Sequence, residues 1–189
     1  MSIQGDFKFP QKLNAEFRNG VSGYVSKEKH ESPYKVGTIG DFAYTGKEIK
    51  PDLSIEKDGK KLVKGTDYTL TYENNIEVGI ATAAARFTND KYNVVRQTFR
   101  IVPGKPTLKA VRSGKTYKFT WSASKGCEKY QLQYSTDGGK TFKTLTRPSS
   151  SKTSYTVKLK SGSYVFRMRG YKTVDGTKFY SKWSKTVKI

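Results

Sequence analysis

Large side chains recur at every second position through most of this chain, the period that a β-strand buried on one face requires. Tyr68, Leu70 and Tyr72 alternate with threonines, and Tyr117, Phe119 and Trp121 with Lys118 and Thr120. Tyr130, Leu132 and Tyr134 alternate with glutamines; Tyr155, Val157 and Leu159, then Tyr164, Phe166 and Met168, continue the pattern. No window carries apolar residues at i, i+3, i+4 and i+7 over three turns, so helix is not expected. Asp58-Gly59, Asn74-Asn75, Asp137-Gly138-Gly139, Ser161-Gly162 and Asp175-Gly176 separate the runs as turns. Short strands at this spacing predict an all-β protein built of two consecutive antiparallel β-sandwiches.

Charge divides the chain as sharply as its pattern unites it. Residues 1–103 hold 16 basic and 13 acidic side chains, a net +3, whereas residues 104–189 hold 20 and 3, a net +17. The change falls at Pro103-Gly104-Lys105-Pro106, which a continuing strand would not accept. Three regions are therefore expected: 1–33, 34–103 and 104–189. Residues 1–33 read as one or two strands, with Phe7 and Phe9 alternating and Asn19-Gly20 as a hairpin signal, and as either the remnant of a preceding domain or an embellishment of the first sandwich. Met1 without a signal peptide suggests a fragment cut from a longer exported chain. The 13 Tyr, 10 Phe and 2 Trp argue against disorder, and no apolar run approaches the ~20 residues of a membrane helix.

The chemistry available is narrow. A single His30 and a single Cys127 leave no intrachain disulfide, no zinc cluster and no histidine pair. His30, in a charged run, reads as a solvated surface residue, and Cys127 as a small apolar contact without a base beside it. Asp52 with Glu56 and Glu73 with Glu77 lack an evident cleft between them, which paired-carboxylate catalysis needs. Asp137-Gly138-Gly139-Lys140 reads as a hairpin rather than a phosphate loop, and Asp67 as the organiser of its own turn. No catalytic, metal-binding or cofactor-binding residue is assigned.

Two resemblances follow from the motifs. A Trp on the second strand of residues 106–189, a Tyr pair on the third, and Leu159 followed by Tyr164 resemble the fibronectin type III pattern. That resemblance implies strands near 107–112, 116–122, 129–135, 141–145, 154–159, 164–172 and 179–188, with Tyr164 as the tyrosine corner. The Leu-to-Tyr spacing is one residue shorter than usual. Residues 44–47 (YTGK), 64–72 (KGTDYTLTY), then ENN, VGIATAAARFTNDKYN and TFRIVP resemble the small bacterial immunoglobulin-like repeat. The resemblance covers roughly residues 34–103, departing toward small residues at Ala81–Ala85. Such repeats often precede a fibronectin type III-like module ending in a YSKWSK-like strand, as Tyr180–Lys185 does here. Surface modules of this kind sometimes carry a Lys–Asn isopeptide crosslink, but Asn74, Asn75 and Asn89 sit in turn signals, and none is expected.

What remains is the basic face of the second sandwich. Lys129, Gln131 and Gln133 face away from the core set on one strand, and Arg167, Arg169 and Tyr171 on another. These strands are neighbours in a fibronectin-type sheet, so Lys129, Arg167, Arg169 and Tyr171 form a candidate polyanion-binding surface. The other reading is a solubilising face. The resemblances imply a non-catalytic module pair of a bacterial surface or secreted protein, extracellular or wall-attached, acting in spacing, adhesion or display beside other domains. The alternatives are a module binding anionic cell-wall polymer or host glycan, with nucleic acid less favoured, and an accessory segment of a surface hydrolase.

Overall fold

In residues 34–102 the chain forms seven strands, and the turns between them take the backbone shapes their residues favour. They are β1 (Tyr34–Val36), β2 (Phe42–Ala43), β3 (Ile55–Lys57), β4 (Lys60–Lys61), β5 (Tyr68–Glu73), β6 (Gly79–Phe87) and β7 (Val94–Val102). This computed structural model describes residues 32–90 and 93–189; the expectations for residues 1–31, His30 among them, lie outside the described residues. Asp58 and Asn74 supply positive φ at the β3–β4 and β5–β6 turns, as short polar side chains can.

Two sheets face each other, β1-β3-β4 and β2-β7-β6-β5. All pairings are antiparallel except that of β2 with β7, which aligns Phe42 with Ile101 and Ala43 with Val102 in parallel. Tyr34, Leu53, Ile55, Tyr68, Ala85 and Phe87 fill one end of the core, with Tyr34 stacked on Phe87 at 3.8 Å. At the other end Ala81 and Ala83 lie under Ile49, Phe99 and Ile101. The small side chains of β6 are thus matched by large ones opposite. Tyr68 and Tyr72 carry their hydroxyls to the rim, donating to the carbonyls of Leu53 at 2.6 Å and Pro51 at 2.8 Å. An apolar body with a polar tip is what a connection crossing the sheet edge calls for.

The second set is β8 (Leu108–Ser113), β9 (Thr116–Trp121), β10 (Lys129–Ser135), β11 (Lys143–Thr146), β12 (Ser154–Lys158), β13 (Val165–Val174), β14 (Thr177–Tyr180) and β15 (Val187–Lys188). A three-stranded sheet β12-β9-β8 packs on a sheet ordered β11-β10-β13-β14, with β15 also on β13. Tyr117, Phe119, Trp121, Tyr130, Leu132, Phe166 and Met168 form its core. The Tyr164 hydroxyl donates to the Lys160 carbonyl at 3.1 Å, so the tyrosine corner closes despite the short spacing. Among the described residues there is no helix. The described residues are all-β, an immunoglobulin-like sandwich followed by a fibronectin type III-like one.

One expected strand is not continuous. The run 179–188 is strand only at its ends, because two serines replace the ladder between them. Ser181 accepts the Gly170 amide on its Oγ at 2.9 Å and donates its own N–H to the Gly170 carbonyl at 2.9 Å. Ser184 repeats this on Met168, at 3.0 and 2.7 Å. A three-residue step along one segment thus matches a two-residue step along β13, which a regular β-ladder cannot do.

Pro33–Ile189 form one compact unit, and the two sandwiches within it meet at a packed junction. Val78, Val102 and Phe179 are buried together, with Tyr44 and Val174 against them. The Pro/Gly connection is held rather than free: Pro103 and Pro106 are fully buried, Gly104 N–H donates to the Lys125 carbonyl at 2.9 Å, and Ser124 Oγ donates to the Gly104 carbonyl. A Lys172–Glu77 ion pair at 3.7 Å and Arg100 over the Phe179 ring at 5.3 Å cross the same boundary.

Candidate functional site

Strand pairing decides what shares the outer face of the larger second sheet. The β10–β13 register sets Lys129 opposite Tyr171, Gln131 opposite Arg169 and Gln133 opposite Arg167. Each arginine turns its Nε–H to its cross-strand glutamine, Arg167 to Gln133 Oε1 and Arg169 to Gln131 Oε1, both at 2.9 Å. Gln131 is 8% exposed and fixes its amide by donating to Thr144 Oγ1 at 2.9 Å. The tether of Arg169 is therefore itself anchored.

Aromatic rings then close over the guanidinium planes. The Arg167 Cζ sits 3.7 Å from the Phe142 ring centre and 4.1 Å from that of Trp183. The Arg169 Cζ sits 4.3 Å from Trp183 and 3.6 Å from Tyr180. Two cations cannot stack on one face of one ring, so each takes a face of Trp183. The order is Phe142, Arg167, Trp183, Arg169, Tyr180. Trp183 reaches the middle of this column because Ser181 and Ser184 clamp the backbone on either side of it. Such contacts favour the cation electrostatically, and more as water is excluded. Partial burial costs both guanidiniums hydration and lowers their pKa; for Arg169 the neighbouring Arg167 charge adds to this, against a raising effect of Tyr180.

Of the four candidate residues, the structure brings Arg167 and Arg169 together. Lys129 stands on the same face, but its Nζ lies 3.9 Å from Glu128 Oε1 rather than in the column. Tyr171 is also on this face yet only 7% exposed, its ring against Tyr180 at 5.6 Å with Lys178 Nζ 5.8 Å from its centre. Phe142, Tyr180 and Trp183 complete the site, none of them having been named as a site residue. The signal for Tyr180 and Trp183 is the Tyr180-Ser181-Lys182-Trp183-Ser184 spacing, and Phe142 lies outside it.

The remaining chemistry-bearing residues are absorbed by the fold. Asp67 accepts the Val63 amide at 2.7 Å, organising its turn. Asp137 accepts from Ser135, Thr141 and the Lys140 and Thr141 amides, and the hydroxyl bonds of Ser135 and Thr141 hold its carboxyl well below the usual carboxylate range. Asp52 pairs with Lys64 at 2.6 Å, and Glu56 with Lys35 at 3.9 Å. Asn75 donates to the Ile49 carbonyl at 3.2 Å. Cys127 is half-buried against the second core. No evident cleft was expected, but a concavity of about 580 Å³ opens at the junction, between the β5–β6 turn and the β13–β14 hairpin, with Glu77 and Asp175 at its rim. Glu77 is held there by Lys172 and by the Tyr44 hydroxyl at 3.5 Å. Among the described residues no group of three or more His, Cys, Asp or Glu could hold a metal ion, and no helix is long and apolar enough to cross a membrane.

No family model matches the chain, and no curated protein matches it. Solved structures resemble it in part. A two-domain fibronectin type III segment of chicken tenascin shares 14% identity over 77% of this chain and 95% of that one, with a TM-score of 0.46. A titin domain segment shares 16% over 82% and 66%, at 0.36. A β-1,2-glucanase from Parabacteroides distasonis shares 18% over 58% of this chain and 17% of that one, at 0.40. Likeness at this level bears on neither activity nor ligand.

Proposed function

We propose that this chain is a non-catalytic pair of modules from a bacterial surface or secreted protein, extracellular or wall-attached, that spaces and displays neighbouring domains, including adhesive ones. The observation behind this reading is the junction. Val78, Val102 and Phe179 are buried between the sandwiches, and the connecting Gly104 is hydrogen-bonded to Lys125 and Ser124. A spacer holds its cargo at a set distance only when its modules do not swivel, and burying apolar surface between them opposes swivelling. The order of the motifs, an immunoglobulin-like repeat and then a module ending in YSKWSK, supports the surface setting. Residual dipolar couplings measured on the full chain should fit both sandwiches to one alignment tensor. Independent tensors would remove the spacer reading. An antibody to the second sandwich should label intact source cells, and a signal seen only after lysis would remove the surface setting.

A second reading is favoured by the net +17 of residues 104–189 and by two arginines with no carboxylate partner among the described residues: binding of an anionic cell-wall polymer or host glycan. A role as accessory segment of a surface hydrolase would place catalysis in a domain beyond these residues and leave the pair's own task unchanged.

A further inference from the structure

Arg167 and Arg169 are held unlike the other cations of the second sandwich. Both faces of each guanidinium lie against aromatic rings, and each Nε–H is committed to a glutamine oxygen. Of the five donors a guanidinium carries, the four on its Nη edge remain, and among the described residues none meets an acceptor. Nor is there an acid to answer them. Glu128 accepts the Thr173 amide and lies near Lys129, Asp137 is folded into its own turn, and Asp175 sits at the tip of the β13–β14 hairpin. Residues 104–189 contain no other carboxylate side chain. The two cations therefore stand one indole ring apart, immobilised by matching tethers to one neighbouring strand, with unused donor edges. Pre-organised side chains lose less freedom on binding than mobile lysines do.

We propose that Arg167 and Arg169 form a paired oxyanion site for a linear polysaccharide or polyol polymer carrying sulfate or phosphate esters on successive units. Each guanidinium edge holds one ester through parallel N–H···O bonds. This deepens the polyanion reading above and rests on it. Nucleic acid carries such esters too, but unspecific binding of single strands draws on aromatic faces for base stacking. Here both faces of Trp183 and one face each of Phe142 and Tyr180 are already covered by guanidinium.

The test uses the full chain, a size-defined heparin oligosaccharide, a polyglycerol phosphate of matched charge and an oligothymidylate. Arg167→Lys/Arg169→Lys preserves net charge while removing the planar edges, so diffuse attraction predicts no change. The paired site predicts affinity for heparin, polyglycerol phosphate or both falling by about tenfold or more, as loss of charge-assisted bonds implies. Lys109→Gln/Lys115→Gln/Lys152→Gln, away from the column, should lose less than that despite removing three charges. Unchanged affinity in the arginine variant would overturn the site and leave the polyanion reading standing. Failure of the unmodified chain to bind either polymer would overturn both, and tighter binding of oligothymidylate would overturn the ligand class. If the arginine variant does not fold, the unmodified chain decides by NMR. Its Arg167 and Arg169 Nε–H signals should shift on titration with heparin, and their constancy at saturation would refute the proposal.

Discussion

Tyr164 reaches back four residues to hydrogen-bond Lys160, its hydroxyl donating to the carbonyl at 3.1 Å while its ring stacks 5.7 Å from Phe166. The bond pins the loop that carries the chain from the smaller second sheet to the larger. Tyr164→Phe keeps the ring and deletes the bond, so it should cost about 1 kcal/mol, the usual net value of one such interaction. Urea melts monitored on the second sandwich would show it, and a midpoint equal to wild type would exclude a stabilising corner.

Tyr117 presents the opposite case. Its ring is fully buried against Tyr164 and Phe166, and its hydroxyl has no protein partner among the described residues. A buried hydroxyl without a partner costs about 1–3 kcal/mol. Tyr117→Phe should therefore leave stability unchanged or raise it. A clear destabilisation in the same melts would show that the hydroxyl is hydrogen-bonded.

Trp183→Ala removes the ring between the two guanidiniums and leaves like charges facing each other. Two cation–π contacts of about 0.5–1 kcal/mol each at partly exposed sites set the scale, so a loss of roughly 1–3 kcal/mol is expected once the repulsion is added. The Arg167 and Arg169 Nε–H protons should also exchange faster with solvent. Unaltered stability and exchange together would mean the column is ornamental.

At Gly126, φ is +73°, and an added Cβ would lie 2.6 Å from Tyr44 Cδ1 and 2.8 Å from its Cγ. Gly126→Ala thus meets a left-handed backbone penalty of about 1–2 kcal/mol and a ring that belongs to the junction. Loosened coupling between the sandwiches is expected, seen as divergence of their alignment tensors. Gly59→Ala, with a similar φ of +75° but open space around it, is the control that isolates the collision.

The Asp137 carboxyl ionises more readily in the folded chain than in the unfolded one, because hydroxyls of Ser135 and Thr141 and nearby amides donate to its charged form. Its contribution to stability is complete above the unfolded value of about 3.9. It is lost progressively as pH falls from there down through the lower folded value. Carboxyl NMR should therefore show Asp137 still charged after exposed acids have protonated. Asp137→Asn should flatten the acid limb of the stability curve for this hairpin.

Strand positions were legible because a period of two survives any rearrangement of partners: Tyr117, Phe119 and Trp121 could face only one way. The break in 179–188 was not, since a serine hydroxyl can stand in for a strand amide's partner without altering the residue pattern. The same blindness hid the column. Arg167 and Arg169 were placed on the right face by alternation, but Trp183 lies beyond the end of β14, where alternation no longer says which way a side chain turns. Tyr171 shows the limit from the other side, for facing outward did not keep it exposed once Tyr180 lay beside it.

The parallel pairing of β2 with β7 has a mechanical consequence. β2 lies toward the chain start of the first sandwich and β7 at its exit, so tension on the two ends pulls these strands past each other lengthwise. Their backbone bonds, with Tyr44 N–H donating to the Val102 carbonyl at 2.8 Å beside them, are loaded together rather than peeled one at a time. Val102 is also buried in the junction. A stretched chain would thus meet its resistance where the first sandwich grips the second, and single-molecule extension should register one high-force event there.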